Sequence, residues 1–342
     1  MVPEIRLLSS PHWKDYELID SGDGLKLEQY GPYTFIRPEV QAIWKRSLPE
    51  AAWDSAHGIF QPSGEESGGH WKFFKNVPDQ WQMGYSLIMK SSRSYKYPSK
   101  KSGEIRFSVM PTSGRHLGVF PECAANWDWM VGLIDGHEKT NQKSTHVNQD
   151  HFYPENAPGQ GKNNRKIDDS GGVKVLNLFG YTGLASLACA AAGATVTHVD
   201  ASKKSVSWAR NNQLLSGLDE KPIRWIVDDA VKFVERESRR GIKYEGIILD
   251  PPKFGRGPKG EVWEVYKSLP RLLHTCREVL NDHPLFVVLT VYAVKFPAIH
   301  AYFALEEMMK GWGGILECGE LVTEEKSAGR LVSQAVYTRW NS

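Results

Sequence analysis

From Val173 to the C-terminus, short apolar runs alternate with longer stretches whose apolar residues recur at three- and four-residue steps. The runs predict strands over Lys174–Phe179, Thr195–Val199, Ile223–Val227, Gly246–Leu249 and Leu285–Thr290. The stretches between them predict helices over Leu184–Ala192, Ser202–Ser216, Ala230–Arg240, Trp263–Val279 and Pro297–Lys310. Such alternation builds a parallel sheet with helices on both faces, an α/β fold. The last part departs from it. Ile315–Leu321 and Leu331–Thr338 are strand-like runs joined by a polar loop with no helix, so the sheet is expected to end in an antiparallel hairpin. A plain nicotinamide-binding domain does not end this way.

Between Pro11 and Val119 the pattern changes. Short aromatic and β-branched runs, such as Tyr33–Ile36, Tyr85–Met89 and Ile105–Val109, are separated by Gly, Pro and Ser clusters. They predict a small, mainly antiparallel α+β domain with one or two short helices, one of them over Glu39–Leu48. Asn126–Ile134 has helical spacing. From Gly136 to Gly172 apolar residues become scarce, and a loop over a site, or a linker, is expected there. The chain therefore divides at 1–119, 120–172 and 173–342.

Composition narrows the class. With 342 residues, 41% of them hydrophobic, the chain can bury a substantial core in two or three units. A net charge of +2 does not itself call for nucleic acid, so an anionic partner has to be met by a local patch. The four cysteines, Cys123, Cys189, Cys276 and Cys318, are scattered without a CxxC pair. No disulfide framework, cysteine zinc site or other metal is expected. No apolar segment approaches membrane-spanning length, and the N-terminus lacks an apolar run. A soluble cytoplasmic protein is expected, and the oligomeric state, homodimer included, is left open.

The candidate chemistry sits at strand ends. In an open parallel sheet, ligands bind outside the carboxyl ends of the strands. Gly180 and Gly183 follow the first strand of the α/β part, in a turn where backbone has to approach a ligand closely. The same glycines also serve strand–helix packing. Asp200 lies about twenty residues on, the spacing at which an acid takes both hydroxyls of a ribose. Asp229, before Ala230, ends the next strand, placed to accept from an adenine amine while Ala230 leaves room for the ring. Asp250-Pro251-Pro252-Lys253-Phe254 ends the fourth strand, and its prolines set the direction of chain exit. Asp250 is then placed to accept hydrogen bonds from an amino group, helped by the carbonyl of Pro251, with Phe254 available to stack on a base. The glycines of Gly255–Gly260 suggest a flexible loop in which Arg256 and Lys259 meet a phosphate, or simply face solvent.

These residues resemble class I S-adenosylmethionine-dependent methyltransferases, and more narrowly the bacterial group that contains the large-subunit ribosomal RNA methyltransferases for cytosine C5 and guanine N7. The likeness rests on Leu176-Asn-Leu-Phe-Gly-Tyr-Thr-Gly183, Val199-Asp-Ala-Ser202, Val227-Asp-Asp-Ala230 and Leu249-Asp-Pro-Pro-Lys-Phe254. Gly118-Val-Phe-Pro-Glu-Cys-Ala-Ala-Asn126 is similar to the segment with which that group covers its cofactor. The resemblance implies a Rossmann-like methyltransferase sheet and S-adenosylmethionine as cofactor. It implies cofactor contacts from Phe120, Glu122, Asn126, Phe179, Gly180, Tyr181, Thr182, Gly183, Asp200, Ala201, Ser202, Asp229 and Ala230. Asp250, Pro251, Pro252 and Phe254 would form the reaction site. It also implies a recognition role for residues 1–119, a lid in 120–172 and catalysis in 173–342. Leu27–Gly31 and Ile36–Pro38 are similar to the group's middle domain, whereas the small N-terminal RNA-binding domain of some members is expected to be missing.

Members that methylate cytosine C5 carry a cysteine just after the fifth strand. Here that place reads Leu289-Thr-Val-Tyr-Ala293, and no cysteine is expected beside the acid-Pro-Pro turn. A nitrogen or oxygen acceptor follows, since such atoms carry lone pairs and need no covalent intermediate. Tyr292 stands near the missing cysteine. The acceptor is expected to be RNA, most plausibly ribosomal. Lys90, Arg93, Lys96, Lys100, Lys101, Arg106 and Arg115 cluster with one acid, Glu104, and interleave with Tyr95 and Tyr97. Trp71-Lys-Phe-Phe-Lys75 repeats the mixture. A small molecule or protein side chain as acceptor, or a cofactor-binding module without activity, are the alternatives.

Overall fold

Strand β1 (Ile5–Ser9) pairs in parallel with residues Cys318–Val322, near the other end of the chain. The computed structural model that shows this describes residues 2–63, 68–89, 103–147, 172–292 and 296–342. Next come β2 (Tyr16–Gly22), β3 (Leu25–Tyr30), β4 (Tyr33–Pro38), α1 (Glu50–Asp54), β5 (Gly58–Pro62) and β6 (Gly69–Phe73). Their strands form a sheet in the order β2-β3-β4-β5-β6, antiparallel except where β4 meets β5. Strands β7 (Trp81–Ser86) and β8 (Glu104–Val109) form a separate antiparallel ribbon.

A short 3-10 turn, Pro121–Cys123, leads into α2 (Ala124–Val147). Beyond it the expected alternation follows: β9 (Lys174–Leu178), α3 (Leu184–Ala191), β10 (Thr195–Asp200), α4 (Lys203–Leu215), β11 (Ile223–Val227), α5 (Ala230–Arg239) and β12 (Gly246–Leu249). A small ribbon, β13 (Phe254–Arg256) with β14 (Val262–Glu264), interrupts it before α6 (Val265–Glu278), β15 (Phe286–Val291) and α7 (Ala298–Met308). The closing hairpin is β16 (Ile315–Glu324) and β17 (Leu331–Asn341), both longer than expected.

The large sheet runs β1-β16-β17-β15-β12-β9-β10-β11. From β9 the chain moves outward through β10 to β11, then returns to lay β12 on the other side of β9. That reversal is a topological switch point, where open α/β sheets bind ligands. Leu178 and Leu249 are register partners at the ends of β9 and β12, so the segments that follow them leave side by side.

Successive residues of a strand face opposite sides, and β9 shows it: Val175 joins one core, Leu176 and Leu178 the other. The first core continues through α2 and α3 into the N-terminal sheets, where Tyr16, Tyr30, Phe35, Tyr85, Phe107 and Trp127 pack, with Trp13 against Tyr85 at 4.6 Å between ring centroids. Much of the N-terminal aromatic content is therefore interior packing that ties the small sheets to the large one.

Three expectations need correction. Residues Glu39–Leu48 are not helical; they fold back on the β2–β3 turn, with Asp23 N donating to Trp44 O and Gly24 N to Ala42 O. Val40 and Ile43 are 75% and 88% exposed there. The helix expected to end at Ile134 continues to Val147, because Glu, Lys and Gln sustain a helix and no proline stops it. The remainder of the expected loop, 148–171, lies outside the described residues. The third concerns the last sheet, expected from residues after Val173 alone, whose edge strand is β1 from the N-terminus. Among the described residues no helix is long and apolar enough to cross a membrane.

Candidate functional site

The turn after β9 alternates left-handed residues: Phe179 at φ 58°, Tyr181 at 47° and Gly183 at 85°. For two non-glycine residues this is a strained arrangement, costing about 1 kcal/mol or more each. It turns backbone N–H groups toward the neighbouring strand. Tyr181 N donates to Asp200 Oδ2 at 2.9 Å and Gly180 N to Val199 O at 3.1 Å.

Both glycines are required by packing. A Cβ on Gly180 would lie 2.3 Å from His198 Cε1, and one on Gly183 would lie 2.7 Å from Ala209 Cβ on α4. Gly183→Ala therefore combines strain with a clash and is expected to destabilise the protein by about 2 kcal/mol. Thermal unfolding should show a midpoint lower by several degrees; an unchanged midpoint would mean that the turn yields freely. Beneath the turn, His198 Nδ1 lies 3.0 Å from Ser186 Oγ, which also accepts from Asn177 Nδ2 at 2.9 Å. Burial pushes His198 down to about 3, so this imidazole stays neutral.

A cavity of about 360 Å³ lies above the carboxyl ends of β9, β10 and β12. It brings together Phe120, Asn126, Phe179, Gly180, Tyr181, Thr182, Asp200, Ala201, Ser202, Asp229, Ala230, Asp250 and Pro252. Four expected site residues are not on its wall: Glu122, Gly183, Pro251 and Phe254. Gly183 instead starts α3, and its neighbours Thr182 and Leu184 face the cavity.

Asp200 is held by two backbone donors, since Oδ1 also accepts from Ser202 N at 2.8 Å. Burial raises its pKa while those N–H groups pull the other way. Asp229 and Ser202 line the cavity and also cap helices: Asp229 Oδ1 accepts from Lys232 N and Ser202 Oγ from Ser205 N. Thr182 Oγ1 donates to Gly118 O at 2.7 Å, fastening the segment before α2 to the turn.

Asp250 Oδ1 is buried and has no hydrogen-bond partner among the described residues. Burial, and then the nearby Glu122 carboxylate, push the Asp250 carboxyl up to about 7. Burial raises the Glu122 carboxyl in turn, and its side chain is not on the cavity wall. The Pro252 carbonyl accepts from Trp263 Nε1 at 2.6 Å, and Trp263 packs on Phe179 at 4.8 Å, so the acid-Pro-Pro segment is clamped to the turn after β9.

The opposite wall is aromatic. Phe120 lies 5.6 Å from Tyr292, 6.0 Å from Tyr181 and 5.4 Å from His116, whose pKa burial lowers to about 4. Asn126 is held from two sides, donating from Nδ2 to Thr290 Oγ1 and accepting at Oδ1 from Arg339 Nη1.

One expectation is overturned here. Cys123 lines the same cavity as Asp250. It arrives from the turn before α2, far away in sequence. Burial, then the charges of Asp250 and Glu122, push its thiol well above the ordinary value, so the thiolate is suppressed. His116, Asn177, Thr290 and Trp263 also reach the cavity without having been singled out for it, and Arg256, expected to meet a phosphate or face solvent, lines it too. Of these, Asn177 carried a signal, a polar residue inside an apolar strand. His116 and Thr290 carried none.

The cationic cluster resists the same treatment. Lys90, Arg93, Tyr95, Lys96, Tyr97, Lys100 and Lys101 lie outside the described residues. Arg106 is exposed and pairs with Glu104 at 3.2 Å, and Arg115 is exposed. In the second cluster Trp71 is committed to packing, 5.4 Å from Phe35.

A strained turn, an acid fixed by two backbone donors and a carboxylate oxygen without a partner among the described residues meet in one cavity at the switch point of a doubly wound sheet. A family model described as S-adenosylmethionine-dependent methyltransferase matches residues 161–316. A solved S-adenosylmethionine-dependent methyltransferase from Agrobacterium tumefaciens is 40% identical, with a TM-score of 0.79 over 98% of this chain and 93% of that one. The chain belongs to the S-adenosylmethionine-dependent methyltransferases, and S-adenosylmethionine is its methyl donor. Among curated relatives, a ribosomal RNA large subunit methyltransferase K/L from Shewanella frigidimarina is 37% identical over 118 residues. One of the same name from Chromohalobacter salexigens is 27% identical over 193 residues. These matches cover 34% and 54% of this chain but only 16% and 23% of the relatives' length.

Proposed function

We propose that this methyltransferase acts on RNA, with ribosomal RNA as acceptor and a nitrogen as the methylated atom, and so works in the cytoplasm. The observation that carries the choice of atom is Asp250 Oδ1, a buried acceptor without a partner among the described residues at the end of β12. An N–H group of the acceptor supplies the missing partner. The suppressed Cys123 thiolate speaks against a cytosine C5 route, which needs a sulfur nucleophile. The names of the curated relatives support ribosomal RNA.

The residues present fit the cofactor. Asp200, fixed through both oxygens by backbone donors, suits the ribose hydroxyls; Asp229 and Ala230 suit adenine; Tyr181, Thr182 and Asn177 suit the amino-acid end. Phe120 and Asn126 close the cavity from the α2 side. When bound, the cofactor supplies an electrophilic methyl group on a sulfonium. The chain's own part is to align the acceptor nitrogen, to take its proton at Asp250 and to exclude water with Phe120, Tyr181 and Tyr292. The N-terminal sheets then present the RNA, and the segment around α2 acts as the lid.

The test is transfer of labelled methyl groups onto total RNA from a strain lacking the protein, followed by nucleoside analysis. An N-methylated nucleoside in large-subunit ribosomal RNA is expected. Label confined to small molecules or protein would overturn the RNA reading, and a 5-methylpyrimidine would overturn the choice of atom.

A further inference from the structure

Ribbon β13–β14 leaves the sheet directly after the acid-Pro-Pro segment, and its register sorts its side chains onto two faces. Gly255 pairs with Trp263, which is 4% exposed and faces inward. The other face carries Phe254 opposite Glu264 and Arg256 opposite Val262. Phe254 is 57% exposed, Val262 62%, and Tyr266, in the first turn of α6, 48%. Interior demand does not explain Phe254 and Val262, held out of the core next to Arg256 on the cavity wall; the Tyr266 ring, 6.1 Å from Phe296 on one side, keeps about half its surface open.

The charges on this strip are one-sided. Glu261 is matched by Lys232 at 2.7 Å and Glu264 by Lys267 at 2.6 Å. The side chains of Arg256 and Lys259 have no counter-ion among the described residues. Arg256 also stands on the cavity rim. Exposed rings with uncompensated cations are complementary to a strand that offers flat bases and phosphates.

We propose that this outer face, with Tyr266, is a platform on which single-stranded nucleotides flanking the target stack, while Arg256 meets a phosphate at the cavity mouth. The proposal rests on the RNA reading above and assigns Phe254 to a flanking base instead of the target.

The experiment measures steady-state transfer to the RNA acceptor, with cofactor affinity followed by calorimetry. Phe254→Ala and Tyr266→Ala are each expected to raise KM for RNA about tenfold, whereas Phe254→Trp stays near wild type. Arg256→Gln is expected to reduce the slope of log KM against log salt by about 0.7, the share of one phosphate contact on a single strand. Cofactor affinity should not move in the Phe254 and Tyr266 variants, and the thermal midpoint should not move in Phe254→Ala. If the wild type methylates RNA while these variants keep its KM and salt slope, the platform is refuted and the RNA reading stands. If the wild type transfers methyl only to protein or small acceptors, the RNA reading falls and the platform loses its occupant.

Discussion

Asp250→Ala is expected to lower kcat by about 10²- to 10⁴-fold while leaving S-adenosylmethionine affinity within a factor of about two. The side chain offers a buried oxygen with no partner among the described residues, so its loss removes the group that orients the acceptor and takes its proton. Because the carboxyl is pushed up to about 7, the base is ionised only above that value. Wild-type kcat/KM should therefore climb between about pH 6 and pH 8, and Asp250→Asn, which accepts a hydrogen bond but no proton, should lose that limb. A rise that persists in the Asn variant would assign the proton to another group.

The same shift has a consequence for stability. The folded protein keeps a proton at Asp250 that the unfolded chain gives up near 3.8, so stability is fully present below that value and is lost as pH rises through about 7. Asp250→Asn carries no charge. It should be more stable than wild type at pH 8, by at most about 4 kcal/mol, and should gain nothing from this source below pH 4. Urea unfolding at the two pH values decides it, and an equal difference at both would show that the carboxyl is not desolvated in solution.

Asp200→Ala should act the other way, weakening cofactor binding about 100-fold while kcat at saturating cofactor stays within several-fold. A hydrogen bond to a charged group contributes about 1.5–3 kcal/mol, and this carboxylate is already oriented by Tyr181 N and Ser202 N. Removing it also deprives the strained turn at Tyr181 of an anchor, which adds to the loss. Calorimetry and single-turnover transfer separate the two quantities. Equal loss of cofactor affinity in the Asp200 and Asp250 variants would mean that the roles are misassigned.

Much of the α/β half was legible beforehand. Ile223–Val227 and Gly246–Leu249 are strands at the expected bounds, and the α3 to α5 helices differ by a residue or two at their ends. Asp200 and Asp250 were expected at strand ends, and they share one cavity. The misses have a common character. The Glu39–Leu48 helix failed because this segment is held by hydrogen bonds to the β2–β3 turn, while Val40 and Ile43 stay exposed and give a helix no apolar face to bury. Of the two readings of the glycines, close approach to a ligand or strand–helix packing, the second is visible in the room they leave for His198 and Ala209, and Gly180 also lines the cavity. Phe254, expected to stack on a base, lies off the cavity wall and is 57% exposed at the start of the ribbon, a placement set by the β13–β14 pairing.

By itself the sequence determined the order of strands and helices after Val173, the turn that follows β9, and the carboxylates at the ends of β10 and β12. Each of these depends on residues a few positions apart, so local periodicity, glycine and proline suffice. Only the tertiary structure decided that β1 completes the large sheet, that Cys123, His116 and Thr290 share a wall with Asp250, and that one oxygen of Asp250 is left without a partner among the described residues. Those outcomes are set by pairing between segments separated by a hundred residues or more, where many weak packing contacts jointly choose the register and no short pattern records the choice.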